Sequence, residues 1–425
     1  MDPSPTKQID YSITFIPMIP HLPHAVTYFV PGFTVRLITC LAFCSLLFSP
    51  SHSYSQNPIG ESQPSIQDHW LLHPRIVVSQ TSITRAKYPV VDVHTHFYVK
   101  GRHDVELLDR YVRMMDQNNI AVSISLDGTL GSRLDAHQEY LWSKYKQRFL
   151  IFANLDFQGT GNREQYSSWD CNQPYFVRNV VEQLKRQHAS GVISGLKLFK
   201  DFGLRYKDAS GAIIQIDDPQ WDPIWRTCGE LGIPVIMHTA DPSAFFLPID
   251  SKNERQRELE NHPDWSFHSS DFPSRTSLHE ARNRVIQRHP KTNFIAAHFG
   301  NDAEDLKELA GWLDAMPNLY VEFASRINEL GRQPYTARQF FQDYSTRILF
   351  GTDGPWPEAR LRCYWRFLET KDEYFPYSEK VPPPQGDWNI YGIHLEDAIL
   401  RQVYYENASK LIPGVAEKLK PFLKD

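Results

Sequence analysis

The sequence predicts a (β/α)8 TIM barrel, and three observations support it. From Lys87 onward, short β-rich runs alternate with amphipathic stretches of helical period, the signature of a parallel sheet with crossover helices. The alternation repeats eight times within a span that suits a barrel with insertions. The first run is followed by Phe97-Tyr98-Val99-Lys100, not by the glycine-rich phosphate loop expected of a doubly wound open sheet.

The chain has 425 residues, 41% of them hydrophobic, enough for a large buried core. The first 55 residues differ in kind. Six prolines between Pro3 and Pro31 oppose regular structure, and Arg36 introduces one apolar run, Leu37 to Phe48. That run is too short for a bilayer span but suits the core of an export signal, and the polar tail after it ends small-x-small at Ser53 and Ser55. The expected organisation is a signal peptide or N-terminal extension over 1–55, a linker over 56–86, the barrel over 87–415 and a tail over 416–425. The linker is expected to lead into a strand or lid through the apolar patch Trp70 to Val78. The mature protein would be periplasmic or extracellular and begin near Gln56, which N-terminal sequencing of the native protein reads directly. Cys40 and Cys44 would leave with the signal. Cys171, Cys228 and Cys363 are too few and too scattered for a disulfide framework or a cysteine zinc site, and are read as buried small hydrophobes.

The expected strands are Val90 to Phe97, Ile120 to Leu126, Phe149 to Phe157, Ile193 to Phe199, Ile233 to His238, Thr292 to His298, Leu319 to Phe323 and Ile348 to Asp353. The helices between them are Asp104 to Gln117, Asp135 to Lys146, Tyr175 to His188, Asp222 to Leu231, Ser277 to Arg288, Ala303 to Leu313 and Thr336 to Tyr344. His394 to Leu411 is expected to supply the eighth. A net charge of −5 without a basic stripe leaves no footprint for nucleic acid or an anionic membrane. The expected partner is a small molecule, with no membrane span in the mature chain and homo-oligomerisation left open.

In Asp92-Val93-His94-Thr95-His96, alternation along a strand sends both histidines to one side, their Cα atoms about 7 Å apart. That is a chelate. Barrel active sites lie at the C-terminal mouth, where the ends of the strands also place His238, His298 and Asp353. Five metal-competent side chains converging on one mouth predict a metal site. Asp92 is expected one layer deeper, either orienting a histidine or making a core hydrogen bond. The long segments Ala240 to Ser274 and Thr370 to Tyr391 are expected to wall the substrate. Arg326 is expected either to bind a substrate carboxylate or to form a surface ion pair.

Val91-Asp92-Val93-His94-Thr95-His96, Gly232 to Thr239, Phe294 to Gly300, Leu349 to Pro355 and Tyr404-Tyr405-Glu406-Asn407-Ala408 together resemble the amidohydrolase superfamily, in its amidohydrolase-related branch of metal-dependent hydrolases and decarboxylases. The resemblance implies that His94, His96 and His238 hold a divalent ion, usually Zn2+, that Asp353 completes the shell, and that His298 stays outside it as acid, base or electrophile. Such an ion would lower the pKa of a water toward 7, Asp353 would take its proton, and His298 would donate to the developing oxyanion. In binuclear members a carboxylated lysine on strand four bridges two ions, a place Lys197 or Lys200 could fill here. One ion is expected, with Lys197 binding substrate or balancing charge. The implied function is metal-dependent hydrolysis of an amide, lactone or related acyl bond. The alternatives are non-oxidative decarboxylation of an unsaturated or aromatic acid, and a catalytically silent barrel that binds metal or ligand.

Overall fold

The computed structural model describes residues 75–423, so the expected export signal lies outside the described residues. Eight parallel strands follow one another around the sheet in chain order: β1 (Val90–Thr95), β2 (Ile120–Thr129), β3 (Phe149–Asn154), β4 (Gly195–Leu198), β5 (Val235–Met237), β6 (Phe294–Ala296), β7 (Leu319–Glu322) and β8 (Ile348–Leu349). The barrel closes between β8 and β1. Val93 N–H donates to Phe350 O at 3.0 Å, Asp353 N–H to His94 O at 2.8 Å and His96 N–H to Gly354 O at 2.7 Å. All six residues of β1 are buried, as a strand covered on both faces requires.

Seven helices match the expected ones to within a few residues: α1 (Val105–Asn118), α2 (Ser132–Tyr145), α3 (Phe176–Ala189), α4 (Asp222–Leu231), α5 (Arg275–Arg288), α6 (Leu306–Ala315) and α7 (Pro334–Asp343). Their boundaries have local causes. The side chains of Asp104, Ser274 and Asp305 cap α1, α5 and α6 by accepting first-turn N–H groups, and Asn119 ends α1 in the left-handed conformation that asparagine tolerates.

The eighth barrel helix is not the expected one. α8 (Glu358–Glu369) follows β8 directly and buries Leu361, Tyr364, Trp365, Phe367 and Leu368. The expected His394 to Leu411 helix begins only at Asp397 and carries a π-turn over Gln402–Glu406. Its end, with the segment after it, joins the cluster inside the barrel: Leu411, Ile412, Val415 and Leu419 pack with Val91, Val93, Ile236 and Leu349. Of the stretch set apart as a tail, Leu419 is thus part of this core. Residues 75–89 form no helix and no strand before Val90, and Val77 is exposed; Trp70 to Pro74 of the apolar patch lie outside the described residues. Thr81 N–H and its hydroxyl both donate to the Asp372 carboxylate, at 2.7 and 2.6 Å, which straps this segment to the domain.

β1 carries a bulge. Asp92 aligns with Ser123 but Thr95 with Ser125, so the strand holds one residue more than its partner. The expected common parity of Asp92 and the two histidines fails there. Val91 and Val93 belong to the interior cluster, and the Asp92 carboxylate accepts from His94 N–H (3.1 Å), Thr352 N–H (3.1 Å) and Thr352 Oγ1 (2.5 Å). It tethers β1 to the end of β8 and touches no imidazole. Burial pushes its carboxyl up to about 7, against the pull of those donors.

Candidate metal centre and substrate cleft

At the mouth the backbone leaves several strands abruptly. Ala240, His298, Phe299, Ser325 and Asp353 all have positive φ, between 55 and 62°. Non-glycine residues hold that conformation at a cost of roughly 1–3 kcal/mol each, and its clustering is typical of functional sites. This is why the ladders are shorter than expected: His238, His298 and Asp353 lie one to four residues past the last paired residue, on turns that aim them inward.

His94 Nε2 and His96 Nε2 converge to 3.1 Å, and Asp353 Oδ1 lies 4.0 and 3.7 Å from them. Each ring is fixed from behind. His94 Nδ1 meets Glu322 Oε1 at 2.7 Å and His96 Nδ1 meets Asp127 Oδ1 at 2.6 Å. An ionised carboxylate only accepts, so each Nδ1 carries the proton and each Nε2 presents a lone pair to the shared point, the arrangement a cation requires. Burial holds His94 well below the usual histidine range, and therefore neutral. Burial opposes ionisation of Asp353, but Lys100 and the imidazoles of His94, His96 and His298 outweigh it and keep the carboxyl well below its usual value. A donor set of two neutral imidazoles and one carboxylate fits a divalent ion.

A second grouping of potential ligand atoms joins His94, His298 and Glu322. Glu322 is wholly buried; besides His94 it accepts His298 N–H at 2.9 Å and Ala324 N–H at 2.6 Å. A Cβ at Gly351 would come within 2.5 Å of its Oε2, so only glycine lets β8 pass there. Glu322 and Asp127 escaped the sequence reading. An acidic residue ending a predicted strand was the available signal, and Asp127 lay one residue beyond the expected end of β2.

Three of the expected site residues stand apart from the converging donors. His238 is not gathered with the other donors: its Nε2 faces Asp241 Oδ1 at 3.4 Å, and its ring centre stands 4.4 Å from that of His298. Lys200 pairs with Asp241 at 2.5 Å and is thereby committed away from the donors. Arg326 is buried and spends its terminal nitrogens on Ser325 O (2.9 Å), Glu329 (3.4 Å) and Asn301 Oδ1 (3.0 Å); it is neither a surface ion pair nor an open carboxylate clamp. Lys197 is buried with no hydrogen-bond partner for Nζ. Burial brings its ammonium down to about 8, while Glu322, Asp353 and Asp127 favour the charged form.

Above the donors opens a cleft of ≈ 520 Å³ bordered by Asp353, Lys100, Trp356 and Arg360 on one side. Both expected walls take part. The segment after β5 contributes Glu258, His262 and Trp265, and the segment after α8 contributes Ser378 to Lys380, Pro384 and Gln385. Among the described residues no helix is long and apolar enough to cross a membrane.

Solved structures similar to the chain include 2,6-dihydroxybenzoate decarboxylase from Rhizobium, 17% identical over 76% of this chain and 98% of that one, with a TM-score of 0.47. Another is dihydroxybenzoic acid decarboxylase from Polaromonas with bound manganese and the inhibitor 2-nitroresorcinol (17% identical, 76% and 96% covered, TM-score 0.46). A third is a probable 2-pyrone-4,6-dicarboxylic acid hydrolase from Acinetobacter baumannii with citric acid bound (11% identical, 76% and 98% covered, TM-score 0.40). The family model described as Amidohydrolase matches residues 91–414, well over half of the sequence and every strand but the first residue of β1. The chain belongs to the amidohydrolase family of metal-dependent barrel enzymes.

Proposed function

We propose that the protein is a hydrolase of an acyl C–O or C–N bond, such as a lactone or amide, working with one divalent ion, zinc by its donor set. His94, His96 and Asp353 hold the ion, and His238 is the fourth donor once its ring leaves Asp241. The observation that carries this reading is the convergence of two oriented imidazole lone pairs, 3.1 Å apart, on an ionised carboxylate. When bound, the ion supplies Lewis acidity, lowering the pKa of water toward 7 and polarising a carbonyl.

The protein groups supply the rest. Asp353, kept ionised, accepts the proton of the attacking water and returns it to the leaving group. His298 donates through Nδ1 to Ala324 O at 2.8 Å, because a carbonyl can only accept; burial pushes its pKa down to about 3. Its Nε2 is then a bare lone pair, which can orient the attacking water by accepting its hydrogen bond and is not the oxyanion donor anticipated from the sequence. Lys197 offsets the negative charge of Glu322 and Asp127.

Decarboxylation is the second reading, favoured by the two cations Lys100 and Arg360 at the cleft. Metal-reconstituted protein turning over a lactone in a pH-stat is expected to take up one base per product without releasing CO2. CO2 release from aromatic acids, with lactones untouched, would transfer the proposal to the decarboxylase. A fully loaded protein inert to both panels would leave a binding barrel.

A further inference from the structure

We propose that Arg360 and Lys100, set around the Trp356 indole, form a subsite for a substrate carboxylate, so that the cleft takes a planar aromatic or unsaturated organic acid. The proposal rests on the metal reading in one respect: Asp353 must be engaged by the ion for Lys100 to give up its carboxylate.

Trp356 follows Asp353 by three residues, and its Nε1–H is anchored on Thr352 O at 2.7 Å. Lys100 Nζ lies 4.0 Å from the ring centre and Arg360 Cζ 4.5 Å, both within cation–π range. Two cations on one indole repel each other and favour an anion between or beside them. Arg360 has no ion pair among the described residues. Its Nε is buried without a hydrogen-bond partner, and a terminal nitrogen reaches only Gln385 Oε1, at 3.3 Å. A guanidinium is a planar fork of five donors matched to a carboxylate, so one left this open beside a cleft is available to a ligand.

The surrounding charges point the same way. Of the acidic residues bordering the cleft, Glu258 is held by Arg255 at 2.8 Å, Asp353 is the proposed metal ligand, and Glu379 is exposed. Lys100 Nζ donates to Asp353 O and also leans on Asp353 Oδ1 at 3.0 Å, so a metal ion taking that carboxylate leaves the ammonium on the carbonyl alone, with donors to spare for a ligand. Lys100, Arg360 and the exposed Lys380 then face Glu379 alone, a positive balance. The walls suit a flat ring: the cleft is lined by Trp356 and by Trp265, which is stacked on His262 with centroids 4.0 Å apart and planes 11° from parallel.

Benzoate and benzamide share a shape and differ in charge, which makes them suitable probes. Titrated into the metal-reconstituted full chain by calorimetry, with tryptophan fluorescence in parallel, benzoate is expected to bind about tenfold or more tighter than benzamide. Arg360→Gln should remove most of that preference, and Arg360→Lys should restore part of it by returning charge without the fork. Equal binding of the two probes to the parent protein overturns the proposal. So does a preference that survives Arg360→Gln, the result expected if the carboxylate meets only the ion. Elemental analysis of the same samples separates the two readings. An Arg360-dependent preference in protein that holds no metal keeps the subsite and sinks the metal centre; loaded protein without the preference does the reverse.

Discussion

Purified His96→Ala protein is expected to carry less than about a tenth of an equivalent of divalent metal and to lose turnover, whereas the parent carries about one equivalent. The expectation follows from the way the two rings are held. His94 and His96 are buried, and Glu322 and Asp127 fix their tautomers from behind. Removing one imidazole leaves the ion two oriented donors at most from the converging set, too few to retain it through purification. Glu322→Gln is the graded counterpart. The amide keeps the shape but removes the charge that both fixes the His94 proton and strengthens its lone pair, so metal affinity should fall 10–100-fold, on the usual scale for partners behind a ligand. Competition against a chelator measures both. His238→Ala run alongside should also lower occupancy. Full occupancy in that variant would reduce His238 to a positioning group on Asp241, and full occupancy in His96→Ala would dismantle the proposed centre.

The barrel was legible because hydrophobic period and strand spacing are local properties, and each β run is bounded by its own helix. His94 and His96 were legible for the same reason, since strand alternation alone brings them together. What escaped depended on contacts between distant parts of the chain. The bulge that takes Asp92 out of step with the histidines exists only in the pairing of β1 with β2, and nothing within the run Val90 to His96 announces it. Glu322 binds His94 and His298 N–H across three strands, so its importance is a fact of tertiary register. Arg326 illustrates the opposite error: an arginine past a strand end looks open to ligand, yet Asn301, from the loop after β6, and Glu329, three residues further along the chain, absorb it. α8 was missed because Glu358–Glu369 mixes three arginines with its apolar residues, which blurs the pattern, although Leu361, Tyr364, Trp365 and Leu368 hold helical spacing.

His298→Asn should keep the metal and roughly keep substrate affinity while turnover falls on the order of 10²-fold or more, about 2.7 kcal/mol in the barrier. Asparagine is the informative replacement for two reasons. His298 has a φ of 56°, in the left-handed region that asparagine tolerates far better than most residues, so the backbone is disturbed least. The side-chain amide can also take over the donation to Ala324 O, now made by Nδ1 at 2.8 Å. The one thing removed is the Nε2 lone pair. Its surroundings suit an acceptor that orients the attacking water, since the ring sits between His94, with centroids 4.8 Å apart, and His238, at 4.4 Å. Burial keeps it neutral across the working pH range. Steady-state kinetics with metal content determined on the same samples distinguish the outcomes. If His298→Asn loses the metal, His298 belongs to the ion's own shell with His94 and Glu322, whose potential ligand atoms lie within 4.8 Å of one another. If turnover is unchanged, Asp353 handles the proton alone, and the strain at His298 serves only to turn the chain out of β6.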